Sequence, residues 1–260
     1  MNRVLITSCV RDCGRHLPAV FRNIERLRGL FDQSAVLLLE NDSSDDTVAQ
    51  IRRYAAAVPG VSALGFSGLA EQIPIKTVRL AHLRNTALAW QQDQGGWMSL
   101  DLLVVLDGDS VNADPWDLDA MDVALRWWWA QPDAAAVFAN QLGPYYDLWA
   151  LRHPEQCADD VWAAIARLHG AQPHLSDAEL LQLVYEPRVF ELSPNALPME
   201  VESAFGGLAF YKAAWLQRAD PIYCGEQPLR WDGPRGQRWW RWQCCEHVRF
   251  NRMLRRQGGR

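Results

Sequence analysis

Residues Leu102 to Ser110 read LLVVLDGDS, and this run constrains the fold more than any other part of the chain. Its apolar residues, Leu102 to Leu106, have the length and branched character of a strand buried on both faces. The run stops at two aspartates one residue apart, Asp107 and Asp109. In an extended chain, side chains at i and i+2 point the same way, so both carboxylates leave the sheet on one side. Paired hard oxygen donors at the open end of a sheet suit Mg²⁺ or Mn²⁺. Asp-Gly-Asp-Ser is also ordinary turn chemistry, so the tetrapeptide alone leaves turn and metal site both open.

The rest of the chain repeats the same grammar. Val4 to Ile6 predicts a first strand, and Pro18 opens a helix carrying Val20, Ile24, Leu27 and Phe31 on one face. Ala35 to Leu39 predicts a second buried strand, followed by a helix with Val48, Ile51, Tyr54 and Val58 inward. A short strand over Val61 to Phe66 and a helix through Leu80, Leu83, Ala87 and Trp90 precede the Leu102 run. Asp114-Pro115 marks a helix start, and Ala134 to Phe138 another strand. Strands alternating with amphipathic helices predict an α/β fold with a mostly parallel central sheet flanked by helices.

The second half is less regular. Helices are expected at 158–169, closed by Gly170, and at 176–185, opened by a Ser176/Glu179 capping box. Glu200 to Lys212 mixes strand-formers with the pair Gly206-Gly207, which marks close backbone approach by a ligand or chain. Residues 225–243 read as a Gly/Pro-broken loop rich in Arg and Trp, and a last helix runs from Cys244 through Arg256 to a stop at Gly258. No clean boundary divides the chain, so one domain over 1–260 is expected.

Composition excludes several classes. A net charge of −5 gives no reason to expect nucleic acid as a partner. Six cysteines match no zinc spacing, and no run reaches the length of a membrane span, which points to a reduced cytoplasmic protein. The thirteen tryptophans cluster at Trp127–Trp129 and Trp231–Trp242, as core packing or as platforms for sugar rings. The Arg/Trp stretch 230–243 would also suit peripheral contact with an inner membrane face.

Acidic and basic residues at predicted strand ends and helix faces complete the pattern. Glu40 and Asp42 end the second strand, on the edge where open α/β sheets bind ligands. Arg84 lies on a helix face from which it could fork onto phosphate oxygens. Asp147 sits centrally in the aromatic stretch GPYYDLWALR.

In order, ENDSSDDT (40–47), HLRNTAL (82–88), LDGDS (106–110), the Tyr-Asp-x-Trp-x-x-Arg segment (146–152) and FGG with CEHV (205–248) resemble the GT-A class of nucleotide-sugar-dependent glycosyltransferases. The likeness is to the capsule-associated (cryptococcal) mannosyltransferase-like group and its bacterial and viral relatives, and it spans nearly the whole chain. It implies a metal-dependent transferase moving a sugar from a UDP- or GDP-linked donor to a glycan or glycolipid hydroxyl, in capsule, lipopolysaccharide or other surface glycan synthesis. It implies that Thr7, Glu40 and Asp42 line the nucleoside pocket, with Arg84 near the base or the phosphates. Asp107 and Asp109 would bring Mn²⁺ or Mg²⁺ to the diphosphate, and His247 would complete the coordination. Commoner relatives read Glu-Asp where this chain reads Glu246-His247, so the base is taken from Glu246, Glu202 and Asp147, in that order.

Two other readings compete. A sugar-nucleotide nucleotidyltransferase would need a Gly-rich basic loop after the first strand, where this chain has TSCVRDCGR. A non-catalytic carbohydrate-binding module would use the tryptophans and leave the acidic strand ends without a role.

Overall fold

The computed structural model describes residues 3–193, 196–233 and 236–260. The first half runs β1 (Arg3–Val10), α1 (Leu17–Arg28), β2 (Gln33–Asn41), α2 (Thr47–Ala57), β3 (Val61–Phe66), α3 (Leu69–Gln72), α4 (Lys76–Asp93) and β4 (Leu102–Asp107). The second runs α5 (Leu118–Trp129), β5 (Ala136–Phe138), α6 (Val161–Ala171), α7 (Asp177–Leu180), β6 (Leu208–Lys212), α8 (Ala213–Ala219), β7 (Glu226–Gly233), β8 (Gly236–Gln243) and α9 (Glu246–Arg256).

Six strands form one sheet in the order β3-β2-β1-β4-β6-β5. β1 pairs in parallel with β2 and β4, and β2 with β3, while β6 is antiparallel to both β4 and β5. The fold is therefore α/β with a mostly parallel sheet, as the strand–helix alternation predicts. Strand order reverses direction at β1, which puts a crevice between the carboxyl ends of β1 and β4. Cys9 lies beside Asp107 there.

The period of two along each strand splits the core into two layers. Val4, Ile6, Val36, Leu38, Leu102, Val104 and Leu106 pack on the side of α1, α2 and α5. Leu5, Leu37, Leu39, Leu103 and Val105 pack on the side of α4, α8 and α9. Asp107 continues the second series, so its carboxylate leaves the sheet towards α4 and α9. A smaller cluster of Tyr145, Leu148, Leu151, Cys157, Val161 and Val184 supports the aromatic loop.

Several boundaries differ from the sequence expectation. α5 begins at Leu118 with Asp117 as its cap, because Asp117 rather than Asp114 accepts from the free N–H of Ala120. Gly170 lies inside α6 instead of closing it. The Ser176/Glu179 capping box forms, and the helical path continues through a wider turn at Leu181–Tyr185. Of the 200–212 stretch only Leu208–Lys212 is strand. The largest correction is 225–243, which forms the antiparallel hairpin β7–β8 instead of a loop. Arg and Trp at alternating positions satisfy a strand although no apolar run announces one.

Candidate active site

Each half of the chain brings side chains to the crevice at the carboxyl edge of β1 and β4. From α4, Arg84 is buried and its Nε donates to Glu246 Oε1 at 3.0 Å. Its Nη2 approaches Asp107 Oδ1 at 3.4 Å. The guanidinium lies 5.1 Å from the centre of the Phe205 ring and 5.9 Å from that of Tyr223. Glu246 is the first residue of α9, where the positive end of the helix dipole favours a carboxylate. An ion pair this enclosed is costly to desolvate, and removing either partner would strand a buried charge.

Two backbone devices fix the aspartate loop. Asp109 caps a short turn by accepting from Val111 N–H at 3.1 Å, and is itself exposed. Behind it, the buried Asn112 side chain donates to the carbonyls of Asp107 at 2.9 Å and Gly207 at 2.8 Å. The Gly206-Gly207 pair has φ of +62° and +79°. A Cβ on Gly207 would stand 2.7 Å from Val111 Cγ1, and one on Gly206 2.1 Å from the Ala139 carbonyl oxygen. The close approach anticipated at this glycine pair is thus by the chain itself.

Asp147 completes the cluster from the aromatic loop. One of its oxygens accepts from Ala150 N–H at 3.0 Å. Burial pushes its carboxyl up to about 6; the N–H groups of Ala150 and Trp149 pull it down, and Glu246 adds to the rise. Asp107 is pushed up to about 7, first by burial, then with Arg84 opposing and Asp109, Asp147 and Glu246 adding. Cys9 is a neutral thiol, pushed up to about 11 by burial. Tyr146, half exposed, has its hydroxyl raised by burial and by Asp107, Asp109 and Asp147.

The loop is anchored from beneath. Asp160 receives Arg152 Nη2, Trp149 Nε1 and Gln227 Nε2, each at 3.1 Å, and caps α6 through Ala163 N–H. The Trp and Arg of the Tyr-Asp-x-Trp-x-x-Arg segment therefore hold its backbone, while its Asp faces the crevice.

The structure brings Arg84, Asp109, Asp147 and Glu246 about Asp107, and sends Glu202 away from them. Glu202 lies on the surface, paired with Arg252 at 3.0 Å, because the chain turns outward before the glycine pair. Thr7 sits inside the sheet and donates to the Val104 carbonyl at 3.2 Å, short of the rim. Glu40 accepts from Ser43 N–H at 2.7 Å. Asp42, at φ +53°, accepts from the N–H groups of Gly68 and Ala70 and so tethers the start of α3.

His247 lies beside Glu246, its Nε2 3.7 Å from Oε1. Its ring stacks on Phe205 at 3.8 Å, and burial first, then Arg84, holds it well below its usual range, so it is neutral. Neither ring nitrogen has a hydrogen-bond partner among the described residues. Among those residues, no group of three or more His, Cys, Asp or Glu side chains is arranged to hold a metal ion, so Asp107, Asp109 and His247 do not form a closed triad. Asp107 and Asp109 alone still fit a hard cation that takes its remaining ligands from phosphate and water. Asp109, Asp147 and Glu246 act on Asp107 against the single cation Arg84, and a bound cation would offset that negative charge.

Sequence reasoning missed Asn112, Tyr223 and Asp160. Asp160 could have been suspected as a capping residue ahead of an apolar helix. The others carry no local signal, because their roles arise from long-range contact.

No protein-family model matches the chain, and no curated protein matches it. Solved structures do. One is the mannosyltransferase PcManGT from Pyrobaculum calidifontis in complex with GDP-Man and Mn²⁺, at 18% identity and TM-score 0.40, over 85% of this chain and 47% of that one. Another is glucosyl-3-phosphoglycerate synthase from Mycobacterium tuberculosis in complex with UDP, at 17% identity and TM-score 0.37, over 83% and 58%. A third is S. aureus TarS, at 11% identity and TM-score 0.42, over 86% and 50%. The chain spans about half the length of these proteins. Each is a likeness, and the fold and site above rest on this chain's own geometry.

Proposed function

We propose that the chain transfers a sugar from a nucleoside-diphosphate sugar to a hydroxyl of a glycan or glycolipid acceptor. The observation that carries this reading is the cluster of Arg84, Asp109, Asp147 and Glu246 about Asp107, at the point where the sheet reverses its strand order. Residues 1–110 would supply the nucleotide side and 111–260 the acceptor side. Asp107 and Asp109 would hold Mn²⁺ or Mg²⁺, whose chemistry there is to neutralise charge on the departing diphosphate. Arg84, held by Glu246 and Asp107, keeps a fixed positive charge at the same edge.

The acceptor hydroxyl needs a base whose proton affinity suits neutral pH. Asp147, raised to about 6, meets that need better than Glu246, which is bound to Arg84, or Glu202, which is outside the crevice. Tyr146 stands half exposed beside the carboxylates and offers a face for a sugar ring. Glu40, at the carboxyl end of β2, and the loop after it lie on the same edge and would border the nucleoside.

The nucleotidyltransferase reading loses ground on one observation. The N–H groups of Asp12, Cys13 and Gly14 after β1 are engaged by Ser43, Thr47 and Asp45, so they are not directed at a phosphate.

A thermal-shift screen of UDP, GDP and CMP, each with and without Mn²⁺, tests the proposal. One diphosphate should raise the midpoint only with the metal, by an amount equivalent to about 2.7 kcal/mol at a hundredfold excess over Kd. Asp109→Ala should stay folded and lose that shift. Absence of a shift with every nucleotide, or normal donor turnover by Asp109→Ala, would refute the assignment.

A further inference from the structure

Among the described residues, the hairpin β7–β8 pairs with no other strand and forms a two-stranded sheet separate from the six-stranded one. Its root is fixed to the candidate site. Gly225 packs so tightly on α4 that a Cβ would lie 2.2 Å from the Thr77 backbone, and Thr77 Oγ1 donates to the Gly225 carbonyl at 2.8 Å. Asn85 exchanges two hydrogen bonds with the Tyr223 backbone, at 3.0 and 2.9 Å. The other strand leads through Cys244 and Cys245 directly into Glu246.

Beyond the root, the side chains of β8 follow an unusual pattern. Trp239 and Trp240 are 64% and 55% exposed, more than Trp127 at 50% or Trp162 at 38%. As neighbours on a strand they point to opposite faces. Arg238 shares the face of Trp240, and Arg241 shares the face of Trp239. Both arginines are exposed, the Arg241 side chain at 88%. Each face of β8 thus presents one exposed tryptophan and one exposed arginine, and Arg230 of β7 adds a further exposed arginine on the Trp239 face. Residues 226–243 contain four arginines against two acids, in a chain whose net charge is −5.

A rigid macromolecular partner, or a base-stacking nucleic acid, would cover one face and leave the other tryptophan in water. A hydrated headgroup layer surrounds a projecting hairpin on both faces. Tryptophan is favoured at that depth, and arginine pairs there with anionic phosphate. We propose that the β7–β8 hairpin docks the protein on an anionic membrane surface, with Trp239 and Trp240 entering the headgroup layer and Arg238 and Arg241 pairing with lipid phosphates. Trp240 and Trp239 lie four and five residues from Cys244, or about 13 and 17 Å along the strand. Docking therefore holds the crevice just above the lipid surface.

Vesicle flotation of the full chain tests this directly. Wild type should float with phosphatidylcholine vesicles containing phosphatidylglycerol, and should stay behind with phosphatidylcholine alone or in high salt. Arg238→Gln/Arg241→Gln should weaken the partition about 25-fold, at about fivefold for each charge. Trp239→Ala/Trp240→Ala should abolish it while leaving the melting transition near that of wild type, because both side chains are exposed. Failure of wild type to float, equal binding to uncharged vesicles, or undiminished floating of the arginine variant would overturn the proposal. Binding to soluble single-stranded RNA or anionic polysaccharide in place of vesicles would do so too. Flotation uses neither donor nor acceptor, so its outcome stands apart from that of the nucleotide screen.

Discussion

Replacing Asp147 with asparagine should make the folded protein more stable at neutral pH while damaging its chemistry. Burial raises the Asp147 carboxyl from the ordinary carboxylate value to about 6, so the folded chain holds that proton more tightly than the unfolded chain does. The sign follows: the contribution to stability is full below about pH 4 and is lost as pH rises through about 6. A rise of about two pKa units corresponds to about 3 kcal/mol of penalty once the group is ionised in both states. Asparagine carries no charge to desolvate, and its carbonyl oxygen can still accept from Ala150 N–H. Urea denaturation should show Asp147→Asn more stable than wild type by about 3 kcal/mol near pH ~7.5, and by less than about 1 kcal/mol near pH ~4. The same variant should lose kcat for transfer with little change in donor binding, because the amide cannot take a proton. A variant less stable than wild type at both pH values would show that capping, not charge burial, dominates at this position. Unchanged kcat would remove Asp147 from the role of base.

Two further outcomes follow from the geometry. Arg84→Met should cost about 3–5 kcal/mol in urea denaturation by stranding Glu246 without its cation, and Glu246→Gln in the same chain should restore part of that loss. Gly207→Ala should destabilise by more than about 1 kcal/mol, since φ is +79° and the added methyl meets Val111, and it should also weaken any Mn²⁺-dependent nucleotide shift by displacing the Asp109 loop.

Local pattern reveals some parts of this molecule and conceals others. The strands around Val4, Ala35 and Leu102 are legible because continuous burial on both faces requires unbroken apolar runs. The Ser176/Glu179 box is legible because its two hydrogen bonds span three residues. The β7–β8 hairpin is not, because its sequence has no apolar run and only Leu229 among its described side chains is a buried aliphatic. Glu202 and Asp147 look alike as acids beside glycine or aromatic residues. Only the path of the chain sends one to a surface pair with Arg252 and the other into the crevice.

From its letters alone, the chain commits itself to alternating strands and helices, and to acidic residues at the carboxyl end of β4, because periodicity and strand length act between neighbours. Which of those acids meet is settled in three dimensions. Arg84 joins Asp107 and Glu246 across separations of 23 and 162 residues. No short-range pattern encodes such contacts, because they arise from how the helices pack on the sheet, and the proton affinity of Asp147 arises from the same packing.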